Sequence, residues 1–468
     1  MTRPNFIFIL MDDLGWRDLG CCGSTFYETP NLDRLASEGV RFTDAYAACP
    51  VCSPTRASIL TGKYPANVGV TDWIDWGHWI HPCRGKVVDA PYLDHLPLRE
   101  KSLARALKAA GYRTWHVGKW HLGGAPFSPE KHGFDVNIGG CEWGCPHHGY
   151  FAPWGIPALP EAPKGVYLTD HLTDLAIELI RKRGRKPFFL NLWHYAVHTP
   201  IQAKPKDVAR FKAKARRSGL DKIQAIEEGE FFPCEHKKHQ RIQRRLAQSD
   251  PVYAAMVWNV DWNVGRLLAA VKEAGLADDT VVIFTSDNGG RATAEGSPTS
   301  NRPLIEGKGW MYEGGVREPL IVKWPGAAKP GTICAAPVTS PDFYPTILDM
   351  AALAPRPRQH ADGVSFAAAL RGDSCFDRGP LYWHYPHYGN QGGTPGSAIR
   401  WGGYKLIEFF EDGRRELYDL RRDIGESRNL AGAMPAVAKR LHRQLVAWRR
   451  RVEARIPVRN DGYVPGAP

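Results

Sequence analysis

Five short runs along the chain are dominated by apolar residues with little polar alternation: NFIFILM (5–11), RTWHVG (113–118), PFFLNLW (187–193), TVVIFTS (280–286) and PLIVKW (319–324). Such runs read as strands buried on both faces of a sheet. Between them the spacing becomes helical. SLARALKAAG stops at Gly111 and DHLTDLAIELIRKRG at Gly184, while DPVYAAMVWNVDWNVGRLLAAVKEAG sets Tyr253, Val257, Val260, Val264, Leu268 and Val271 along one face before Gly275. Helices of this kind commonly end at glycine. The alternation predicts an α/β fold, a large mixed, mostly parallel sheet sandwiched by helices.

From about residue 376 the pattern changes. GSAIRWGGYKLIEFF and EDGRRELYDL read as antiparallel strands joined at an Asp412–Gly413 turn, and a last helix places Val437, Leu441, Leu445, Trp448 and Val452 on one face. The expected division is 1–375 for the main domain and 376–468 for a small C-terminal subdomain of antiparallel sheet plus helix.

Four of the predicted strands are followed by polar residues of a particular kind: Asp12 and Asp13, Lys119 and His121, His194 and His198, Asp287 and Asn288. In open α/β sheets the ligand crevice lies beyond the carboxyl ends of the strands, so these sets can converge on one site. Three carboxylates brought together repel one another unless a cation sits among them. With the Asn288 oxygen they make an all-oxygen set, better suited to Ca²⁺ or Mg²⁺ than to zinc. Cys52 adds a thiol at the start of CSPTRASILTG, where Pro54 suits a first helical turn and Gly62 stops the helix. A helix N-terminus favours a thiolate or an anion, and Arg56 and Lys308 bring further positive charge. Together these residues outline a pocket for a tetrahedral oxyanion, with His121 and His198 to move protons.

Composition sharpens this picture only slightly. A chain of 468 residues, 43% hydrophobic and 24% charged, is that of an ordinary folded protein, and its net charge of +12 favours anionic partners. The basic clusters ARFKAKARRSG, EHKKHQRIQRRLAQ and AWRRRVEAR lack interleaved aromatics, which argues against nucleic acid. No apolar run has the length of a membrane span. The first residues are a poor signal peptide and a good buried strand, so the expected location is cytoplasmic as written, or periplasmic or secreted for a mature form. The ten cysteines read as free thiols, and the pairs Cys49/Cys52 and Cys141/Cys145 lack a second pair to complete a zinc site.

Seven stretches then carry a resemblance: NFIFILMDDLGW, TPNLDRLASEGVRFTDAYA, CSPTRASILTGKYP, GYRTWHVGKWHLG, AVHTP, VIFTSDNGG and GKGWMYEGGVREPLIVKWPG, in one order over roughly the first three quarters of the chain. They resemble the type I, formylglycine-dependent sulfatases of the alkaline-phosphatase-like superfamily. The resemblance implies that a maturation enzyme oxidises Cys52 to formylglycine before folding, and that the hydrate is the nucleophile. It implies a Ca²⁺ site at Asp12, Asp13, Asp287 and Asn288 beside residue 52. It also implies that Arg56 and His121 hold and deprotonate the hydrate, that Lys119 and Lys308 bind sulfate oxygens, and that His198 contacts sulfate and protonates the leaving alcohol, alone or with Lys308. In a sulfatase, the aromatic-rich LYWHYPHYGNQGG, with His384 and His387, and CEWGCPHHGYF, with His147 and His148, are expected to face a sugar. The favoured substrate is a sulfated carbohydrate. An aryl sulfate, a phosphate or phosphonate ester, and a non-catalytic role in binding sulfated glycans are the alternatives.

Overall fold

The computed structural model describes residues 3–75 and 80–464. Its centre is a nine-stranded sheet in the order Thr332–Cys334, Val40–Tyr46, Arg317–Lys323, Thr280–Ser286, Asn5–Met11, Phe188–Trp193, Arg113–Gly118 and Val136–Ile138, with Val338–Thr339 also on Val40–Tyr46. Asn5–Met11 pairs in parallel with both of its neighbours, while Arg317–Lys323 runs antiparallel to both of its own. The sheet is thus mixed and mostly parallel, as the strand–helix alternation predicts.

The central strand is apolar throughout because both faces are covered. Ile7, Ile9 and Met11 face a layer that includes Leu172, Val257, Val260 and Val264, from the helices Leu168–Arg181 and Pro251–Glu273. Phe6, Phe8 and Leu10 face the opposite layer, with Leu103 and Leu107 of Leu103–Ala109 and Tyr344 and Ile347 of Phe343–Met350. Among the described residues no helix is long and apolar enough to cross a membrane.

Register decides where the strands deliver their ends. Leu10 and Gly118 both lie opposite Trp193, and Met11 lies opposite Ser286. Asp12, Lys119 and Asp287 therefore leave the sheet at one level. Gly118 has φ +102°, and a Cβ there would stand 2.0 Å from the Trp193 carbonyl oxygen. Glycine is what permits the chain to turn between these two strand ends.

A second, four-stranded antiparallel sheet runs Leu381–Tyr385, Gly396–Trp401, Tyr404–Phe409, Arg415–Asp419. Its last hairpin turns at Asp412–Gly413, as expected, and the helix Pro435–Arg451 packs Leu441, Leu445 and Trp448 against it, with Trp448 stacked on Tyr382 at 4.7 Å. The first of these strands corrects the reading of 381–393 as a ligand-facing loop. Leu381, Trp383 and Tyr385 alternate into one core cluster and Tyr382 into another, so these aromatics are packing residues.

The two sheets are joined by buried charge. Lys405 Nζ lies 3.0 Å from Glu313 Oε1 and 3.0 Å from Glu426 Oε1, and Glu313 Oε2 accepts from the Tyr46 hydroxyl at 2.7 Å and from Arg317 at 3.1 Å. Removing one partner of such a buried set leaves uncompensated charge. Lys405→Met is expected to lower the unfolding free energy by about 3–5 kcal/mol in urea titrations, with little change in m-value.

Candidate active site

The helix Cys52–Thr61 begins at the thiol and ends at Gly62 in the left-handed conformation, φ +70°. Cys52 is 2% exposed and opens onto a cavity of about 410 Å³ whose lining includes His121, His198 and Lys308. The Cys52 Sγ lies 3.2 Å from His121 Nδ1, and His121 Nε2 lies 3.0 Å from the Ile74 carbonyl oxygen. A carbonyl only accepts, so the proton sits on Nε2, and Nδ1 presents its lone pair to residue 52. Burial, reinforced by Lys119, holds His121 well below the ordinary histidine range and keeps it neutral. Burial also raises the Cys52 thiol, against the pull of Lys119 and Lys308.

Behind the thiol lies a sealed layer of charge. Arg56 donates to Asp287 Oδ2 through Nε at 2.9 Å and Nη2 at 2.7 Å, and through Nη1 to the Lys119 carbonyl at 3.1 Å. Lys119 Nζ donates to Asp12 Oδ2 at 2.7 Å. Lys308 Nζ lies 2.8 Å from Asp13 Oδ1 and 2.9 Å from His198 Nε2. The Asn288 amide donates to Asp13 Oδ1 at 2.8 Å, and Asp13 itself sits at φ +63°. The residues named from the strand ends therefore do converge, with one exception. His194 is buried, its backbone N–H bonded to the Leu10 carbonyl, and it does not line the cavity.

The protein-family model described as Sulfatase matches residues 4–353, and a model of the C-terminal part of N-sulphoglucosamine sulphohydrolase matches 306–451. The chain belongs to the sulfatase family. A Formosa agariphila sulfatase is 32% identical to it, over 95% of this chain and 88% of its own length. Human arylsulfatase A is 32% identical over 97% and 89%, and human N-acetylgalactosamine-6-sulfatase 32% identical over 81% and 68%. Among solved structures, Ps i-CgsB in complex with k-i-k-neocarrahexaose superimposes with a TM-score of 0.76 at 30% identity, covering 96% of this chain and 93% of that one.

Sulfatases of this type imply a metal, and the acidic layer fits one. Among the described residues, Asp12 Oδ1 and Asn288 Oδ1 are buried without a hydrogen-bond partner. Ligand atoms of Asp12, Asp287 and Cys52 lie within 4.8 Å of one another. Burial pushes Asp12 up to about 7, against the pull of Lys119 and with the push of the Asp287 and Asp13 carboxylates. Burial also raises Asp13, but Lys308, His198 and Arg291 outweigh it and hold that carboxyl well below the carboxylate range. A set of carboxylate and amide oxygens in this position suits a hard divalent cation.

The outer histidines divide. His147 and His148 line the cavity mouth beside Trp143, with ring centroids 4.6 Å and 6.0 Å from the indole. His384 and His387, expected to face a sugar, do not. His384 lies on a buried strand between Ser397 Oγ at 2.6 Å and the Arg455 carbonyl at 2.8 Å, and His387 is buried against Thr71 and Asp72. Their segment reaches the cavity instead through Asn390 and Gln391. Sequence reasoning missed Arg291, which is fully buried with Nε 3.2 Å from Asp13 Oδ2. Its place three residues after Asn288 was the one available signal. Glu295, Trp73 and Asp75 also line the cavity, and no motif pointed to them.

The raised Asp12 sets the sign of a pH effect. Without a cation the folded protein holds this proton more tightly than the unfolded chain does. That stabilisation is fully present below the usual value of 3.8 and is lost as pH rises through about 7. In chelator-treated protein the Tm of the wild type relative to Asp12→Asn is expected to fall across that interval. An added divalent cation should raise the Tm more in mildly alkaline than in mildly acidic buffer, all read by scanning fluorimetry.

Proposed function

We propose that this sulfatase hydrolyses the sulfate ester of a sulfated carbohydrate, using a formylglycine made from Cys52 and a Ca²⁺ ion held by Asp12, Asp13, Asp287 and Asn288. The observation that carries the reading is the placement of the Cys52 Sγ on the cavity floor, 3.2 Å from the lone-pair nitrogen of a neutral His121. When present, the ion supplies positive charge beside the sulfate oxygens, and the oxidised residue 52 supplies the attacking oxygen and a second hydroxyl.

The other roles fall to the protein's own side chains. Lys119 contributes a fixed cation for the charge that develops on the sulfate oxygens, and Lys308 adds its own charge until its proton is passed on. Arg56 ties Asp287 to the Lys119 backbone and so orients both. His121 Nδ1 takes a proton from residue 52, because the Ile74 carbonyl commits the other ring nitrogen to donating. Lys308 and His198 share one proton. Burial and the lysine charge hold His198 well below the histidine range, while Asp13 and neighbouring negative charge raise Lys308 in spite of burial. The proton therefore rests on Lys308, and the pair delivers it to the departing alcohol.

A saccharide is favoured by relatives named for N-acetylgalactosamine 6-sulfate and by the neocarrahexaose complex. It is also favoured by a cavity whose lining includes Trp73, Trp143, His147, His148, Asn390 and Gln391. The similarity to arylsulfatase A favours a second reading, an aryl sulfate substrate. The leaving group separates them, since a sugar alcohol needs a proton as it departs and a nitrophenol does not.

Two outcomes are expected. Mass spectrometry of the Cys52 peptide, from protein made together with a formylglycine-generating enzyme, should show aldehyde or hydrate in place of thiol, and Cys52→Ala should abolish turnover. His198→Ala should reduce kcat/KM on sulfated saccharides by about 10²–10⁴ and on nitrophenyl sulfate far less. A thiol that persists with the maturation enzyme present would sink the mechanism, and equal losses on both substrates would remove His198 from leaving-group protonation.

A further inference from the structure

The cavity above Cys52 carries charge of both signs. Among the described residues that line it, Lys308 is the one lysine or arginine, and its Nζ stands 2.8 Å from Asp13 Oδ1. Asp75, Glu142 and Glu295 line the same cavity. A chain with a net charge of +12 already attracts anions. The three carboxylates work against that attraction where the substrate must sit.

Glu295 is the best placed of them. Its Oε2 lies 3.1 Å from Nη1 of the buried Arg291, whose Nε lies 3.2 Å from Asp13 Oδ2. One guanidinium thus links this carboxylate to the acidic layer behind Cys52. Burial raises Glu295, but Arg291 and Lys308 outweigh it and hold the group below the usual carboxylate range, so it is ionised at neutral pH. Ala294 and Glu295 both lie in the left-handed region, at φ +55° and +48°. Residues other than glycine keep that conformation only where the surroundings impose it. The Ser297 N–H, bonded to the Ala294 carbonyl at 2.8 Å, closes the turn that carries Glu295. Of the other two, Asp75 is engaged through Oδ2 by the Ile80 N–H at 2.7 Å, while Glu142 is half-buried on the segment that supplies Trp143.

An ionised carboxylate only accepts hydrogen bonds. A sugar hydroxyl or ammonium beside the sulfate ester can donate to it. A second sulfate or a uronate offers only acceptor oxygens and a like charge, and like charges brought together are what reject a wrong partner.

We infer, resting on the saccharide reading above, that Glu295, helped by Glu142, selects a saccharide whose sulfate-bearing unit has no anionic group other than the ester to be cleaved. Hydroxyl or amine donors then flank the sulfate, and polysulfated or uronate-bearing units fall outside the substrate class.

The test uses matured, full-length protein and paired substrates: hexose and N-acetylhexosamine monosulfates, each against the same sugar with a second sulfate, with sulfate release followed by ion chromatography. The monosulfates are expected to have a kcat/KM at least about tenfold higher than their disulfated partners. Glu295→Gln keeps the bulk of the side chain and removes its charge, so it should narrow that gap by speeding the disulfated member, and Glu142→Gln should narrow it less. The wild-type ratio stands without any variant. Equal or faster wild-type turnover of the disulfated members, or a gap left unchanged by every folded variant, would overturn selection by charge. Release from no sugar while nitrophenyl sulfate is hydrolysed would instead overturn the saccharide reading, and the selection with it.

Discussion

The structure depends on one constraint: three carboxylates, Asp12, Asp13 and Asp287, are sealed from water at the carboxyl edge of the central sheet. Isolated ions cannot be placed there cheaply, so each must have a partner of opposite sign. The partners come from every direction. Arg56 comes from the helix that begins at Cys52, Lys119 from the end of a neighbouring strand, Lys308 from the loop preceding the antiparallel strand, and Arg291 from the segment after Asn288. The same contacts that make burial tolerable hold five chain segments in fixed relation. Among the described residues, Asp12 Oδ1 and Asn288 Oδ1 are the oxygens of this layer left without a hydrogen-bond partner.

Much of this was legible in the sequence because burial on both faces forces a strand to be apolar at every position. Asn5–Met11, Arg113–Gly118 and Thr280–Ser286 match their predicted runs, and the polar residues after them mark the crevice. Val40–Tyr46 escaped notice because its burial alternates between full and partial, and its Arg41, Thr43 and Asp44 broke the apolar run. Leu381–Tyr385 was misread for the opposite reason. A strand rich in Trp, Tyr and His has the composition of a sugar-binding loop, and only its pairing with Gly396–Trp401 shows that the rings point into the core. His384 and His387 followed that misreading, whereas His147 and His148 stand at the cavity mouth where they were expected.

The second sheet is more than an appendage. Through Lys405, Glu426 and Glu313 it grips the short helix Glu313–Val316, next to the loop that carries Lys308. Gly289, directly after Asn288, packs so closely on this region that a Cβ would come within 1.9 Å of the Gly314 carbonyl oxygen. Cation placement on the substrate side of the cavity is therefore set from the C-terminal sheet as well as from the central one.

The near-total burial of Cys52 carries a consequence for the order of events during synthesis. An enzyme that must take hold of this cysteine and its flanking residues as extended chain can do so only before the helix at 52–61 packs into place. The strand that completes the pairing of Asn5–Met11, Thr280–Ser286, emerges from the ribosome more than two hundred residues later. Long-range pairing of this kind is slow to form. On the formylglycine mechanism proposed above, the non-local topology leaves a maturation enzyme a window set by the pace of translation. Anything that hastened local collapse around residue 52 would compete with the proposed modification.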